Sequence, residues 1–386
     1  MGASVSSPVT PRSMPHSMSR SVGTSASVPQ INSAQAISTT ITPALFEQSV
    51  ANDPNERCTI DTHLRVDLFK KYPIDDASFL TVSDVLTKLG PTTASAGYIV
   101  DFGAGVRDSD PCFPLFDAGY RGLMVDGEPT QEAKMRHRFR KNPTVQQRIA
   151  LLSATNVAKI LRAANAPRQP ELLKMDIDGF DCNIMDAVLA AGFRPKVVVM
   201  EVNVGWPPPV RFSLSAAANY DSEKRGFMYG CSLSYQADLM AGYGYTLLQL
   251  DWNNALYVQR ELSHHFDHHF HRKGGNNTKV CAAFLRGFAE RAGVYETFPF
   301  WAPRHIPGSQ QPYVPYGGVS HRDVSQWRPA RMLTVVARNI AKDVHLYAGR
   351  SFVLATHSVV TPKARARTTW TLETNGSFVL AHERAV

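Results

Sequence analysis

This 386-residue sequence predicts an α/β protein built on a doubly wound, mostly parallel sheet. Three observations carry that expectation. Short continuous apolar runs recur through residues 58–300, among them Tyr98-Ile-Val100, Gly122-Leu-Met-Val125 and Lys196 to Val202. Segments with apolar residues at helical spacing separate them, and Gly or Asp stands where several runs end. Continuous apolar strands alternating with helices imply a parallel sheet covered on both faces. The composition, 44% hydrophobic and 19% charged, is enough for a sizeable core. No run approaches the roughly 18 apolar residues needed to cross a bilayer, so a soluble protein is expected.

Residues 1–57 read as a disordered tail: the first 46 contain no Asp, Glu or Lys and are rich in Ser, Thr and Pro. Met1-Gly2-Ala-Ser-Val-Ser6 fits an N-myristoylation signal. The same acid-poor, Ser-rich stretch, with Arg12 and Arg20, also suits a transit peptide to mitochondrion or plastid. These two readings and a plain tail stay open. The five cysteines, Cys58, Cys112, Cys182, Cys231 and Cys281, form no CxxC pair. With no secretory signal ahead of them, a reducing, cytoplasmic setting is expected.

From residue 58 the elements follow in order. Phe79 to Leu89 predicts an amphipathic helix closed by Gly90-Pro91. Tyr98-Ile-Val100 is the first strand, Gly122 to Val125 the second, and Val145 to Leu151 a weaker third. Ser153 to Ala164 has a helical period. Glu171 to Met175 is the fourth strand, and Phe180 to Leu189 a helix stopped by a left-handed cap at Gly192. Lys196 to Val202 is the fifth. Tyr245 to Leu250 and Ala255 to Gln259 read as an antiparallel terminal hairpin turning at Asp251-Trp-Asn-Asn254.

The turn after the first strand, Asp101-Phe-Gly103-Ala-Gly105-Val-Arg107-Asp108, lies where doubly wound sheets bind cofactors. A dinucleotide site would need glycine where Asp108 stands, and Asp110 follows closely. Carboxylates repel a diphosphate and suit a cation. S-adenosylmethionine, with its sulfonium and ammonium, fits that charge. Asp126 ends the second strand, where an acid commonly accepts hydrogen bonds from a ribose diol. Asp176 and Asp178 leave the fourth strand toward the same crevice, and Glu201 and Asn203 end the fifth.

Asp101-Phe-Gly103-Ala-Gly105, Gly122-Leu-Met-Val-Asp126 and Lys174-Met-Asp176-Ile-Asp178-Gly179-Phe together resemble the FkbM-type class I S-adenosylmethionine-dependent methyltransferases. Glu201-Val-Asn203 and Asn254-Ala-Leu-Tyr-Val258 are similar to that family's later strands, so the resemblance covers about residues 95–260. It implies a Rossmann-like seven-stranded sheet with a reversed final hairpin, and O-methylation of a small molecule or sugar. It also implies that Asp101, Gly103 and Gly105 hold the methionine part of the cofactor and Asp126 its ribose. Arg107 stands in place of the usual glycine, and Trp206 to Gln236 replaces a shorter connection.

Methyl transfer to a hydroxyl also needs a base, and Asp176 and Asp178 are the candidates. Glu201 and Asn203 are expected to orient the acceptor. No (Asn/Asp)-Pro-Pro-aromatic motif of amine methylation is present, which favours oxygen. No metal is expected among these residues. His264-His265-Phe-Asp267-His268-His269-Phe-His271 offers i,i+4 pairs on a helix face, but Gly274-Gly275 suggests a loop there.

The net charge of +8 is unevenly placed. Residues 58–300 carry net +1, whereas 301–386, with eleven basic and four acidic side chains, form a basic C-terminal extension. A basic helix is predicted over 329–341, and Lys363-Ala-Arg365-Ala-Arg367 lies beyond it. Such a surface attracts phosphates of nucleic acid or acidic membranes. A catalytically silent scaffold acting through this extension is therefore the alternative to an enzyme.

Overall fold

The computed structural model describes residues 40–41, 79–90, 97–105, 110–206, 208, 210–217, 228–269, 276–289, 350–355, 369–372 and 378–380. The expected helix over 329–341, the Lys363–Arg367 run, Arg107 and Asp108 lie outside them, as does all of the 1–57 tail but Thr40–Ile41.

Helix α1 (Val82–Lys88) begins three residues later than its apolar pattern, because Thr81 caps it. The Thr81 hydroxyl accepts from the Asp84 N–H at 3.1 Å, and the Asp84 carboxylate accepts from the Thr81 N–H at 2.8 Å. This reciprocal pair satisfies two otherwise orphaned donors and sets the boundary.

The central sheet holds β2 (Tyr98–Phe102), β3 (Arg121–Asp126), β4 (Val145–Ile149), β5 (Leu172–Met175), β6 (Val197–Glu201), β8 (Tyr245–Asp251) and β9 (Asn254–Gln259). Their spatial order is β4-β3-β2-β5-β6-β9-β8. The first five are parallel, while β9 runs antiparallel to both β6 and β8. This is the Rossmann-like α/β fold with a reversed hairpin that the apolar runs imply. The chain winds outward from β2 in one direction and from β5 in the other, so the switch point lies between these two strands.

Alternation along each strand divides the core in two. Val100, Phe102, Leu123, Val125, Leu173 and Met175 face α4 (Val157–Ala163), α5 (Asp181–Ala190) and α6 (Leu233–Gly242). Ile99, Met124, Leu172, Val197 and Val199 face α1, α2 (Phe113–Asp117) and α3 (Gln131–Arg138). Every residue of β2 and β6 is buried, as a sheet sandwiched between helices requires. Each fully buried Val, Leu or Phe stabilises the fold by about 1.5–3 kcal/mol relative to exposure. Helix α5 stops as expected, with Gly192 at φ +85°.

Two elements absent from the sequence reading begin within the Trp206–Gln236 connection. Strand β7 (Arg211–Ala217) belongs to a second, five-stranded antiparallel sheet of order β1-β12-β11-β10-β7. Its other members are β1 (Thr40–Ile41), β10 (Arg350–Ala355), β11 (Thr369–Leu372) and β12 (Phe378–Leu380). Strands on both sides of residue 300 therefore share this sheet. Phe212 stacks on Trp206 at 4.3 Å and lies 6.2 Å from Phe352. Helix α6 shows no amphipathic period because Leu233 to Met240 are all buried. Arg211 Nε and Asp238 Oδ2 pair at 2.8 Å between β7 and α6.

Cys182 and Cys231 form a disulfide across 49 residues, tying the first turn of α5 to the segment entering α6. The absence of CxxC spacing hid this pair. Arg260–His269 forms a 3₁₀ helix, whose three-residue turn takes i,i+4 histidines off a common face. Among the described residues, no helix is long and apolar enough to cross a membrane.

Candidate active site

The carboxyl ends of β2, β3, β5 and β6 meet on one edge of the central sheet, at its switch point. Register brings Asp101 of β2 beside Lys174 of β5, and Asp126 is the last residue of β3. Open parallel sheets bind ligands in the crevice outside such strand ends.

Gly103 and Gly105 have different tasks. Gly103 adopts φ +77°, and a Cβ there would lie 1.5 Å from the Asp176 carbonyl oxygen. The turn after β2 thus runs directly against the chain leaving β5, with no room for a side chain. Gly105 is unobstructed: a Cβ there would meet Asp126 Oδ2 at 3.7 Å, an ordinary contact. Gly105 and Asp126 therefore lie side by side at this sheet edge. Asp126 Oδ1 accepts from the Glu128 N–H at 2.7 Å, which holds the carboxylate in an Asx turn.

Asp101 is fully buried beneath this turn rather than presented to the crevice. Lys174 Nζ lies 3.4 Å from Asp101 Oδ1, 3.0 Å from Asp110 Oδ2 and 3.5 Å from Asp176 Oδ2, and donates to the Gly103 carbonyl at 3.0 Å. One ammonium thus joins Asp101, Asp176 and the loop acid Asp110 to the glycine turn and offsets much of their charge. Burial disfavours charge on Lys174, but Asp101, Asp110 and Asp176 outweigh it and hold the ammonium protonated. Asp101 is pushed up to about 7 by burial, against the pull of Lys174 and with a further push from Asp110. Among the described residues, its Oδ2 accepts no hydrogen bond. The Cys112 thiol beside them is held neutral by burial and by Asp101 and Asp110.

Asp176 and Asp178 are half-buried at the exit of β5, and Asp178 adopts φ +56°. Buried Asp181 builds the loop that presents them, its carboxylate accepting from the Ile177 N–H at 2.9 Å and the Gly179 N–H at 3.1 Å. Burial raises Asp181 to about 6 against those two donors.

Glu201, at the end of β6, is 6% exposed. Its Oε1 accepts from Asn253 Nδ2 at 3.1 Å, and its carboxyl group also hydrogen-bonds with that of Asp176. Burial pushes Glu201 well up, and the carboxylates of Asp176 and Asp181 push it further. Suitable oxygens of Asp176, Asp178 and Glu201 all lie within 4.8 Å of one another. Asn203 points its amide into the fold instead: Nδ2 donates to the Tyr229 carbonyl at 2.8 Å, and Oδ1 accepts from the Gly205 N–H at 3.1 Å.

The structure thus gathers Asp101, Gly103, Gly105, Asp126, Asp176, Asp178 and Glu201 at one sheet edge, with Asn203 bracing the adjacent loop. Sequence reasoning assigned no role to Lys174, Asp181 or Asn253, and counted Asp110 only as negative charge beside the glycine turn. Lys174 carried a signal, a lone lysine inside an apolar strand just before two acids. Asn253 and Asp181 carried none, because their importance comes from neighbours distant in sequence.

No protein-family model matches the chain, and no curated protein matches it. Among solved structures it is similar to the bifunctional kinase-methyltransferase WbdD, at 13% identity and TM-score 0.27, over 46% of this chain and 38% of that one. It is similar to a geranyl diphosphate methyltransferase in complex with GPP and sinefungin, at 15% identity and TM-score 0.28, over 53% of this chain and 73% of that one. A spermidine synthase from Thermotoga maritima aligns at 15% identity and TM-score 0.25, over 52% and 67% of the two chains. The chain thus spans well under half the length of WbdD.

Proposed function

We propose that this chain is an S-adenosylmethionine-dependent methyltransferase acting on a hydroxyl of a small molecule or sugar. One observation carries the reading: the glycine turn after β2 sets Gly105 beside Asp126 Oδ2, at the carboxyl edge of a parallel sheet whose strand ends are lined with carboxylates. The Gly105 position leaves the backbone free for close approach by a ligand. Asp126 keeps Oδ2 turned toward that space, suited to the two hydroxyls of a ribose. The resemblance of the three strand-end motifs to FkbM-type enzymes points the same way.

The bound cofactor would supply an electrophilic methyl on a sulfonium. Gly103 shapes the turn, and Asp101 acts on it indirectly, through Lys174 and the Gly103 carbonyl. Asp176 and Asp178, the more exposed acids, would face the acceptor and take its hydroxyl proton, a contribution of roughly 10²–10⁴-fold. Alignment of acceptor and methyl would contribute several kcal/mol more.

Calorimetry with S-adenosylhomocysteine tests the reading. A single saturable site is expected, and Asp126→Ala should weaken it by about 1–3 kcal/mol, the range for an unsatisfied polar partner. Absence of binding heat to the folded wild-type chain would favour the scaffold alternative.

A further inference from the structure

The near-neutral charge of residues 58–300 conceals a one-sided segment. Residues 133–170 contain nine Lys and Arg and no Asp or Glu. This segment folds into most of α3, all of β4 and all of α4, and β4 is an outer strand of the central sheet. We propose that this edge of the sheet is a docking surface for single-stranded nucleic acid, held through its phosphates.

Helices α3 and α4 lie on opposite faces of the sheet. Met135 packs in the core of Ile99 and Met124, Val157 and Leu161 in that of Val100 and Leu123. With β4 between them, the basic residues cover both faces and the edge. Lys134 on α3, Arg140 and Lys141 in the turn entering β4, and Lys159 and Arg162 on α4 are all exposed. Arg136 and Arg138 pair with Glu132 and Asp117, whereas these five meet no acid among the described residues. Half-buried Arg148 of β4 ties the edge to α4, donating to the Ala163 carbonyl at 3.4 Å. Gln146 Nε2 donates to the next carbonyl, that of Ala164, at 2.9 Å. Exposed Arg121, which opens β3, adds to the same region. Burial raises the Tyr98 hydroxyl, and Arg121 and Arg148 both pull it back, so both guanidiniums act on one point.

A solvated charged face ordinarily mixes both signs, which limits self-repulsion. Fixed charges of one sign concentrate a positive field, and a polyanion relieves it. Two features select the polyanion. The basic residues span two helix layers and the strand edge between them, so a flat headgroup surface meets one part of the ridge while a flexible phosphate chain can cross all of it. Among the described residues, Leu151 is also the only exposed large apolar side chain, which leaves little to enter acyl chains. Six of the nine are arginines, whose planar forks match pairs of phosphate oxygens. Phosphate contacts carry no base information, so binding here is independent of sequence.

The inference does not rest on the transferase reading and is tested without the cofactor. A fluorescein-labelled 20-nucleotide single-stranded RNA, titrated with the full chain and followed by anisotropy, should bind with strong salt dependence. Combining Arg140→Gln, Lys141→Gln and Arg162→Gln should weaken it at least tenfold at about 50 mM salt and lower the salt slope by about 2, because each phosphate contact on a single strand contributes about 0.7. Lys134→Gln with Lys159→Gln, one charge from each face, should weaken it by a smaller factor. Replacing Lys363, Arg365 and Arg367 by Gln removes the same charge elsewhere and should cost less than the first variant. Melting curves should show every variant folded, since the replaced side chains on the ridge are exposed. Absence of RNA binding, unchanged binding in both ridge variants, or equal losses in the two triple variants would overturn the proposal. So would retention on phosphatidylserine vesicles that exceeds RNA binding and depends on the ridge, which would assign the surface to a membrane.

Discussion

Asp101 illustrates how position overrides residue type. A carboxylate in a glycine-rich turn suggests a ligand contact, but its β2 register points it at Lys174 in the sheet interior. Burial raises it to about 7 from an unfolded value near 3.8, so the folded state holds the proton more tightly than the unfolded chain does. Its contribution to stability is complete below about pH 4 and is lost as pH rises through about 7. Buried Asp181, raised to about 6, acts with the same sign over a narrower range. Urea midpoints measured from pH 4 to 8 should fall less steeply in Asp101→Asn than in wild type. Parallel slopes would mean that Asp101 is not protonated in the fold.

At the scale of elements, the glycine turn and the disulfide hold the loops that frame the crevice. Gly103→Ala places a Cβ where the Asp176 carbonyl stands and demands φ +77° of a residue that resists it. The β2 turn and the β5 exit would have to separate, so reduced thermal stability and lost cofactor binding are expected together. Gly105→Ala should fold normally, because its Cβ meets only ordinary contacts, and should impair cofactor affinity alone. Equal melting temperatures for the two variants would refute this division. The Cys182–Cys231 bridge closes a 49-residue separation and anchors the segment in which Gly230 donates to the Gly179 carbonyl at 2.7 Å. Loop-closure entropy assigns it roughly 4 kcal/mol in the chain-entropy treatment. Reduction of the folded protein should lower the melting temperature, and intact-mass thiol counting should show the bond before reduction. Such bonds persist in oxidising compartments, so the thiol count also tests the reducing setting expected from cysteine spacing.

For the whole molecule, the charge division and the second sheet make separate claims on the C-terminal region. Residues 301–386 carry eleven basic and four acidic side chains, yet Arg350–Ala355 pairs with Arg211–Ala217. Deleting the extension would strip β7 of a strand partner, so charge substitution is the cleaner test. Replacing Lys363, Arg365 and Arg367 by Glu should reduce salt-dependent retention on heparin while leaving S-adenosylhomocysteine binding intact. Unchanged retention would place the phosphate-attracting surface elsewhere.

The central sheet was legible in the sequence because its strands are buried on both faces and its helices on one. Those demands write directly into residue pattern: continuous apolar runs for Tyr98–Phe102 and Val197–Glu201, and a left-handed stop at Gly192. The strand-end residues Asp101, Asp126, Asp176 and Glu201 were legible for the same reason, since they sit where apolar runs cease. Helix α6 and strand β7 were not, because a helix buried all round has no polar face and β7 gains its partner from residues 350–355. Nor could the sequence separate Asp101, committed to Lys174, from Glu201, held by Asn253 and Asp176. Periodicity reports which side of an element meets the core. Only tertiary packing decides which buried charge finds a partner, because that partner arrives from another part of the chain.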